Sequence, residues 1–484
     1  MADERFDRAG TGVPGLDELL GGGLPTGRAY VLRGPPGTGK TILGLHFLTA
    51  RAETGERPLF VGFEEPVEDI ERNAASLGFD LDGVEILDLS PTADRFVEDR
   101  SYSAFEPAEV EGREPAEQIV EAVRERDPER VVIDPLTQFR QLAPDDYQFR
   151  QEMASLTAFL KDRDVTALYT TQPTASRPDD DLQFLGDGII TLSRGQTGRR
   201  IAVEKLRGST FRGGSHAMRI GGDGLTVYPS LVPGDYDREF TSETLSSGVD
   251  ELDSLLGGGI ERGTVALITG PSGVGKTTTG SHFLRQSAAR GERATVYLFE
   301  EPAKQFRHRS ASLGIPLDEP IEDGLLGIDP VEPMNLSADE FAHRVRTDVE
   351  ANDTELVMID GTAGYRLSLR DDDGLTEHLH ALCRYLRNVG VTVVLVEEQQ
   401  RITGEVSTTQ ENISYLADSV LFLRYLELSG EIRKSVGVLK KRLSGFEPTL
   451  RELSIDSDGL EIGEPMTGLR GILTGTPERV ERDS

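Results

Sequence analysis

Apolar residues in this chain fall into short unbroken runs, not into a strict alternation with polar ones. In the first half they are AYVLRG (29–34), PLFVGFE (58–64), VEILDL (84–89), RVVIDP (130–135), VTALYTT (165–171) and GIITLS (188–193). The second half repeats the series with TVALITG (264–270), ATVYLFE (294–300), LLGIDP (325–330), LVMIDG (356–361), VTVVLVEE (391–398) and SVLFLRY (419–425). Runs of this length, rich in β-branched residues and bounded by turn formers, predict strands buried on both faces. Helical patterns lie between them, after each glycine-rich loop and at 115–126, 145–162, 337–350 and 374–388. Strand and helix in alternation predict an α/β fold, each half a mainly parallel twisted sheet flanked by helices.

The two halves are copies. TGVPGLDELLGGGLPTGRAYVLRGPPGTGKT (11–41) aligns without gaps to SGVDELDSLLGGGIERGTVALITGPSGVGKT (247–277), with 16 identities in 31 positions at an offset of 236 residues. HFL, GER, FEEP and ASLG recur at the same offset. A period this long is a duplicated domain, not a solenoid unit. The polar turn Pro233-Gly234-Asp235 reads as the linker. The expected organisation is 1–236 and 237–465, two domains of one kind, followed by a tail at 466–484.

With 484 residues the chain is long enough for two ordinary α/β cores. Its 84 acidic residues against 52 basic ones give a formal charge of −32. A surface this acidic repels phosphate backbones and anionic lipid, so nucleic acid and membrane are not expected partners. Cys383 is the one cysteine, which excludes an internal disulfide. The charged N-terminus has no apolar signal segment, so the expected location is the cytoplasm.

GPPGTGKT (34–41) and GPSGVGKT (270–277) both fit the G-x-x-x-x-G-K-[ST] phosphate-binding loop. The expected ATP-binding residues are Gly34, Gly37, Thr38, Gly39, Lys40 and Thr41, with Gly270, Gly273, Val274, Gly275, Lys276 and Thr277. Glycines let backbone N–H groups close around phosphates at the positive end of the next helix. Lys40 and Lys276 would reach the outer phosphates, and the Thr41 and Thr277 hydroxyls would hold Mg²⁺. Asp134 and Asp360, each ending an apolar strand, are the Walker B candidates. The pairs Glu64-Glu65 and Glu300-Glu301 lie 24 residues past each loop lysine. At a strand's C-terminal end such carboxylates can orient or deprotonate an attacking water, so they are the catalytic candidates. Of eight lysines, three sit in EKLRGS (Lys205) and LKKRLS (Lys440, Lys441), on what the pattern predicts to be edge strands. From there they could reach the nucleotide of a neighbouring subunit.

Duplicated loop, tandem Glu pair, Walker B strand, K-x-R segment and TGTP tail together resemble the KaiC-like family of clock ATPases and autokinases. The resemblance covers nearly the whole chain. It implies tandem RecA-like domains in a homohexameric double ring, with ATP and Mg²⁺ at subunit interfaces and a regulatory protein partner. It makes Glu64 and Glu300 the catalytic bases, and Lys205 with Arg207, and Lys440 with Arg442, contacts to ATP in trans. It also implies a phosphate acceptor at Ser414, next to Tyr415 where the family prototype has a second acceptor. Phe211 and Phe446 replace a histidine of the prototype, and Leu443 a glycine. A DNA-dependent recombinase and a nucleotide-gated binding module with little turnover are the alternatives.

Overall fold

The computed structural model describes residues 6–50, 56–90, 115–143, 145–173, 182, 184–195, 198–235, 243–332, 336–369, 374–399, 415–428, 430–457, 459–467, 469–470 and 478–479. The chain folds into two compact units, Met1–Ser230 and Leu231–Ser484.

The parallel strands of the first unit are β1 (Ala29–Arg33), β2 (Pro58–Gly62), β3 (Glu85–Asp88), β4 (Arg130–Asp134) and β5 (Thr166–Thr171). Then come β6 (Gly188–Gly195), β7 (Gly198–Leu206), β8 (His216–Gly221) and β9 (Gly224–Tyr228). They form one nine-stranded sheet in the order β3-β2-β4-β5-β1-β6-β7-β8-β9, antiparallel from β6 outward. The second unit repeats this order. Its strands are β10 (Val265–Gly270), β11 (Ala294–Leu298), β12 (Leu326–Pro330), β13 (Leu356–Asp360), β14 (Thr392–Glu398), β15 (Ser419–Leu428), β16 (Glu431–Lys441), β17 (Arg451–Asp456) and β18 (Gly459–Pro465), ordered β12-β11-β13-β14-β10-β15-β16-β17-β18. Every predicted strand is present. Each unit is thus a mostly parallel sheet flanked by helices, and the two make a tandem pair of RecA-like α/β folds.

Burial explains why the runs are unbroken. In β10, Ala266 and Ile268 belong to one buried cluster while Val265 and Leu267 belong to another on the opposite face. In β13, Leu356 and Met358 face one side, Val357 and Ile359 the other. Side chains alternate across a strand, so a sheet covered on both faces makes every position apolar. Truncating Leu267, fully buried, would cost roughly 2–5 kcal/mol. Among the described residues no helix is long and apolar enough to cross a membrane.

One expectation needs correcting. The strands carrying Lys205 and Lys440 are not sheet edges. β7 lies between β6 and β8, and β16 between β15 and β17. Two further antiparallel strands follow each, and their mixed polar composition hides them in the sequence. β8 pairs with β7 at residues 199–201, so the Lys205 end of β7 is paired only to β6. That leaves the K-x-R segment accessible on an interior strand.

Candidate active sites

Each phosphate-binding loop leads from the end of a central strand into a helix: β1 into α1 (Lys40–Thr49), and β10 into α2 (Lys276–Ala289). Gly39 and Gly275 precede these helices at φ 105° and 116°, a left-handed conformation that disfavours side chains. A Cβ on Gly39 would also stand 2.8 Å from Ile220 Cδ1, and one on Gly275 would come closer still to Ile455. Packing beneath the loop therefore demands glycine twice over. The Thr38 and Val274 side chains are buried, so what these residues can offer a ligand is backbone N–H.

Lys40 Nζ donates to Gly34 O at 2.8 Å and Pro35 O at 3.0 Å, and Lys276 Nζ to Pro271 O at 2.9 Å. Both ammonium groups are buried, which pulls their pKa down. Asp134 and Glu64 oppose the shift at Lys40, and Glu398, Glu300 and Asp360 oppose it at Lys276. Each lysine is thus held inside its loop with acidic groups around it.

The second unit has a cavity of about 440 Å³ above the loop, lined by Lys276, Thr277, Glu300, Glu301, Asp360 and Glu398. Thr277 Oγ1 donates to Asp360 Oδ1 at 3.1 Å. Burial, aided by Glu301 and Glu300, raises Asp360 to about 7 despite that hydrogen bond. Glu300 is also shifted up, by burial first and the nearby Glu398 charge second. Glu301 is paired with Arg309. Hydroxyl and carboxylate oxygens side by side next to a phosphate loop are hard donors of the kind Mg²⁺ takes. That ion needs few protein ligands because phosphates and waters complete its shell.

The first unit assembles the same positions with other partners. Asp134 accepts from Thr170 Oγ1, and not from Thr41, which is exposed. Glu64 Oε1 accepts from Gln138 Nε2 at 3.2 Å, and Glu65 Oε2 from Asn73 Nδ2 at 3.0 Å. All four glutamates of the tandem pairs therefore lie at the C-terminal rim of their sheet, where the sequence spacing puts them.

The K-x-R residues lie at the opposite rim. Lys205 Nζ donates to Gly186 O at 2.8 Å and Lys440 Nζ to Ala417 O at 2.6 Å. Arg207 is 3.9 Å from Asp187, and Arg442 3.4 Å from Asp418. Those aspartates bind the backbone at the starts of β1 and β10, through Ala29 N and Val265 N. At about 3.3 Å per residue, the start of β10 is about 16 Å from its loop. Within each unit the structure does not bring these cations to that unit's phosphate loop. Ser414 lies outside the described residues.

Sequence reasoning missed Glu398. It ends β14, the neighbour of β10, in register with Gly270 at the base of the loop. The first copy has Gln172 at the matching place. A carboxylate pair closing VTVVLVEE was the available signal, but only the strand order puts it beside a phosphate loop.

A family model described as "ATPase: KaiC" matches residues 9–232 and again 245–467. The chain belongs to the KaiC ATPase family. The circadian clock oscillator protein KaiC of Parasynechococcus marenigrum (strain WH8102) is 30% identical, covering 98% of this chain and 93% of the relative. That of Parathermosynechococcus lividus is 29% identical over 98% of this chain and 88% of its own length. KaiC 1 of Synechocystis sp. (strain ATCC 27184 / PCC 6803 / Kazusa) is 30% identical, with 98% and 92% covered. Both KaiC matches begin 25 residues before a phosphate loop and run past the K-x-R segment, so the family's ATPase domain occurs twice here.

Proposed function

We propose that both units bind and hydrolyse Mg-ATP, and that the nucleotide state of the chain controls a regulatory protein partner. The observation that carries this reading is the convergence, twice, of a loop lysine, a Walker B aspartate and a glutamate on one sheet rim. Lys40 and Lys276 bind the outer phosphates. Thr41 with Asp134, and Thr277 with Asp360, hold Mg²⁺, which supplies charge neutralisation at those phosphates. Glu64 and Glu300 orient the attacking water and take its proton, a role that a partly buried carboxyl with raised affinity for protons suits at Glu300. Glu65 and Glu301 support them from the adjacent position.

Lys205, Arg207, Lys440 and Arg442 contact ATP on another copy, in a homohexamer. Their distance from their own loop supports this, since a cation at the far rim can serve only a nucleotide brought from outside. The second unit phosphorylates Ser414 when that hydroxyl takes the water's place. Clock function, as in the relatives' names, is one setting for such an ATPase.

Phosphate release by the full chain with Mg-ATP tests the reading, with sedimentation and peptide mass spectrometry on the same sample. ATP turnover by a hexamer supports it, and phosphate on Ser414 that Glu300→Gln abolishes adds the autokinase. An active monomer would sink the trans contacts. ATP bound at both loops without turnover would leave the nucleotide-gated binding module.

A further inference from the structure

The middle residue of the second K-x-R segment points away from its neighbours. Lys440 Nζ turns to Ala417 O and the Arg442 guanidinium to Asp418, whereas the Lys441 side chain is fully buried. Its Nζ donates to Leu256 O and, at 3.0 Å, to Gly259 O. Those carbonyls belong to the end of the helix Asp250–Leu255 and the three-glycine turn after it. Glu261 Oε1 lies 3.1 Å from Lys441 Nζ and accepts from Ser444 Oγ at 2.6 Å. Farther on, Glu447 N donates to Leu255 O at 3.0 Å, so the segment after Arg442 is tied to the same helix end. Of the three lysines expected to reach a neighbouring nucleotide, Lys441 is therefore turned inward.

The first unit has Leu206 in place of Lys441 and makes the same clamp from another residue. Leu206 pairs with Gly188 at the start of β6, as Lys441 pairs with Ser419 at the start of β15. Arg8, in the short strand Arg8–Ala9, donates through Nη1 to Leu20 O at 2.8 Å and Gly23 O at 2.7 Å. These are the counterparts of Leu256 and Gly259, 236 residues earlier. Arg8 Nη2 donates to Ser209 Oγ at 2.6 Å, and Arg212 N to Leu19 O at 2.8 Å. Arg8 pairs with Pro25 as Thr244 pairs with Glu261, so the second unit has no cation where the first has Arg8. The positive group thus arrives from a different strand in each unit and meets the same two carbonyls. In both it is linked to a serine just past the K-x-R segment, directly in the first unit and through Glu261 in the second.

Orphan carbonyls at a helix end favour a nearby cation, and a buried lysine is costly unless a carboxylate accompanies it. Capping alone explains neither serine link nor the recurrence of the arrangement from unrelated positions. We propose that Arg8 and Lys441 are positioning residues for the K-x-R segments. Each fastens its segment to the glycine turn. It thereby fixes the direction in which Lys205 and Arg207, or Lys440 and Arg442, present their charge. A strand end held in this way loses less freedom when its cations engage a ligand. The role rests on the trans contacts of those four cations and adds the groups that aim them.

Arg8 is exposed, so its substitution spares the core. Phosphate release by the first unit is read in the full chain carrying Glu300→Gln, which silences the second. Arg8→Ala should lower kcat about tenfold or more, the scale of a catalytic group displaced by about 1 Å. KM for ATP and the amount of ATP bound should stay unchanged. Arg8→Lys should restore the rate, because a lysine makes the same contacts in the second unit. Lys205→Ala with Arg207→Ala should cost at least as much, and Arg8→Ala added to that pair should cost nothing further. A parent kcat in Arg8→Ala, or a full further loss in the triple variant, overturns the proposal and leaves the trans contacts standing. A parent kcat in the Lys205→Ala, Arg207→Ala chain removes the trans contacts, and the positioning role with them. The second unit is read in a Glu64→Gln chain. There Lys441→Leu with Glu261→Pro should slow release, and adding Thr244→Arg, which completes the first unit's set, should bring it back. Equal rates in those two variants overturn the role of Lys441.

Discussion

In the first unit the carboxylates beside the phosphate loop are met by neutral groups: Gln138 on Glu64, Asn73 on Glu65, Thr170 on Asp134. In the second unit Arg309 takes the place of Asn73, Glu398 that of Gln172, and four carboxylates share one cavity with Lys276, Arg309 and Lys434. Amides and hydroxyls fix a carboxylate's direction without altering the charge around it. Burial first, and then the crowding of carboxylates, raises the proton affinities of Asp360 and Glu300. One scaffold thus supports two electrostatic settings, and a duplicated ATPase can have unequal halves without any change of fold.

The most drastic way to break this comparison is to remove each loop's cation in turn. Lys40→Ala and Lys276→Ala should each eliminate about one bound ATP per chain, since each deletes a charge-assisted phosphate contact worth about 1.5–3 kcal/mol. Equilibrium dialysis would show this, and full stoichiometry in Lys276→Ala would mean that the second site is misassigned. A sharper test exchanges the character of the rims. Glu398→Gln gives the second site the first site's residue and removes a negative charge near the ATP phosphates. Affinity at that site, measured in a Lys40→Ala background, should rise about three- to tenfold, the scale of one screened charge interaction. Gln172→Glu should lower it in the first site. Equal affinities before and after exchange would show that Glu398 does not face the nucleotide.

Proton binding separates the halves more subtly. Asp360 holds its proton to about pH 7 when folded and has an ordinary value of 3.8, so the folded chain binds more protons between those values. Its stability therefore falls as pH rises across that interval, and Glu300, shifted the same way, adds to the fall. His282, lowered by burial and Arg285 to about 4, opposes this by losing stability as pH drops below 6.5. The melting temperature of Asp360→Asn relative to its parent should accordingly climb from pH 4 to pH 7 in the absence of nucleotide. A difference that stays flat would remove the electrostatic contrast. Smallest of all, Arg309→Asn copies the first unit's neutral pairing on Glu301. Because that pair is partly exposed, the loss in denaturant unfolding should not exceed about 1 kcal/mol.

The central strands were readable because burial on both faces leaves no polar position to interrupt a run such as VMI or VVI. The duplication then carried the loops, the aspartates and the Glu pairs into equivalent places. β8 and β9, and β17 and β18, escaped notice because their outer faces are partly exposed and their residues are mixed. Lys205 and Lys440 were misjudged as edge-strand residues for that reason, since unseen neighbours make an interior strand look terminal. Glu398 was hidden differently. Its role depends on β14 lying next to β10 in register, and strand order is long-range information that no single segment contains.

Hydrolysis by the Glu64→Gln, Glu300→Gln and doubly substituted chains bears most directly on the claim of two ATPase sites. Each single variant should bind two ATP per chain and retain the other unit's share of phosphate release. The double variant should bind both and release phosphate at least about 10²-fold more slowly than the parent, the usual loss for a general base. A double variant that turns over ATP at the parent rate would contradict the account.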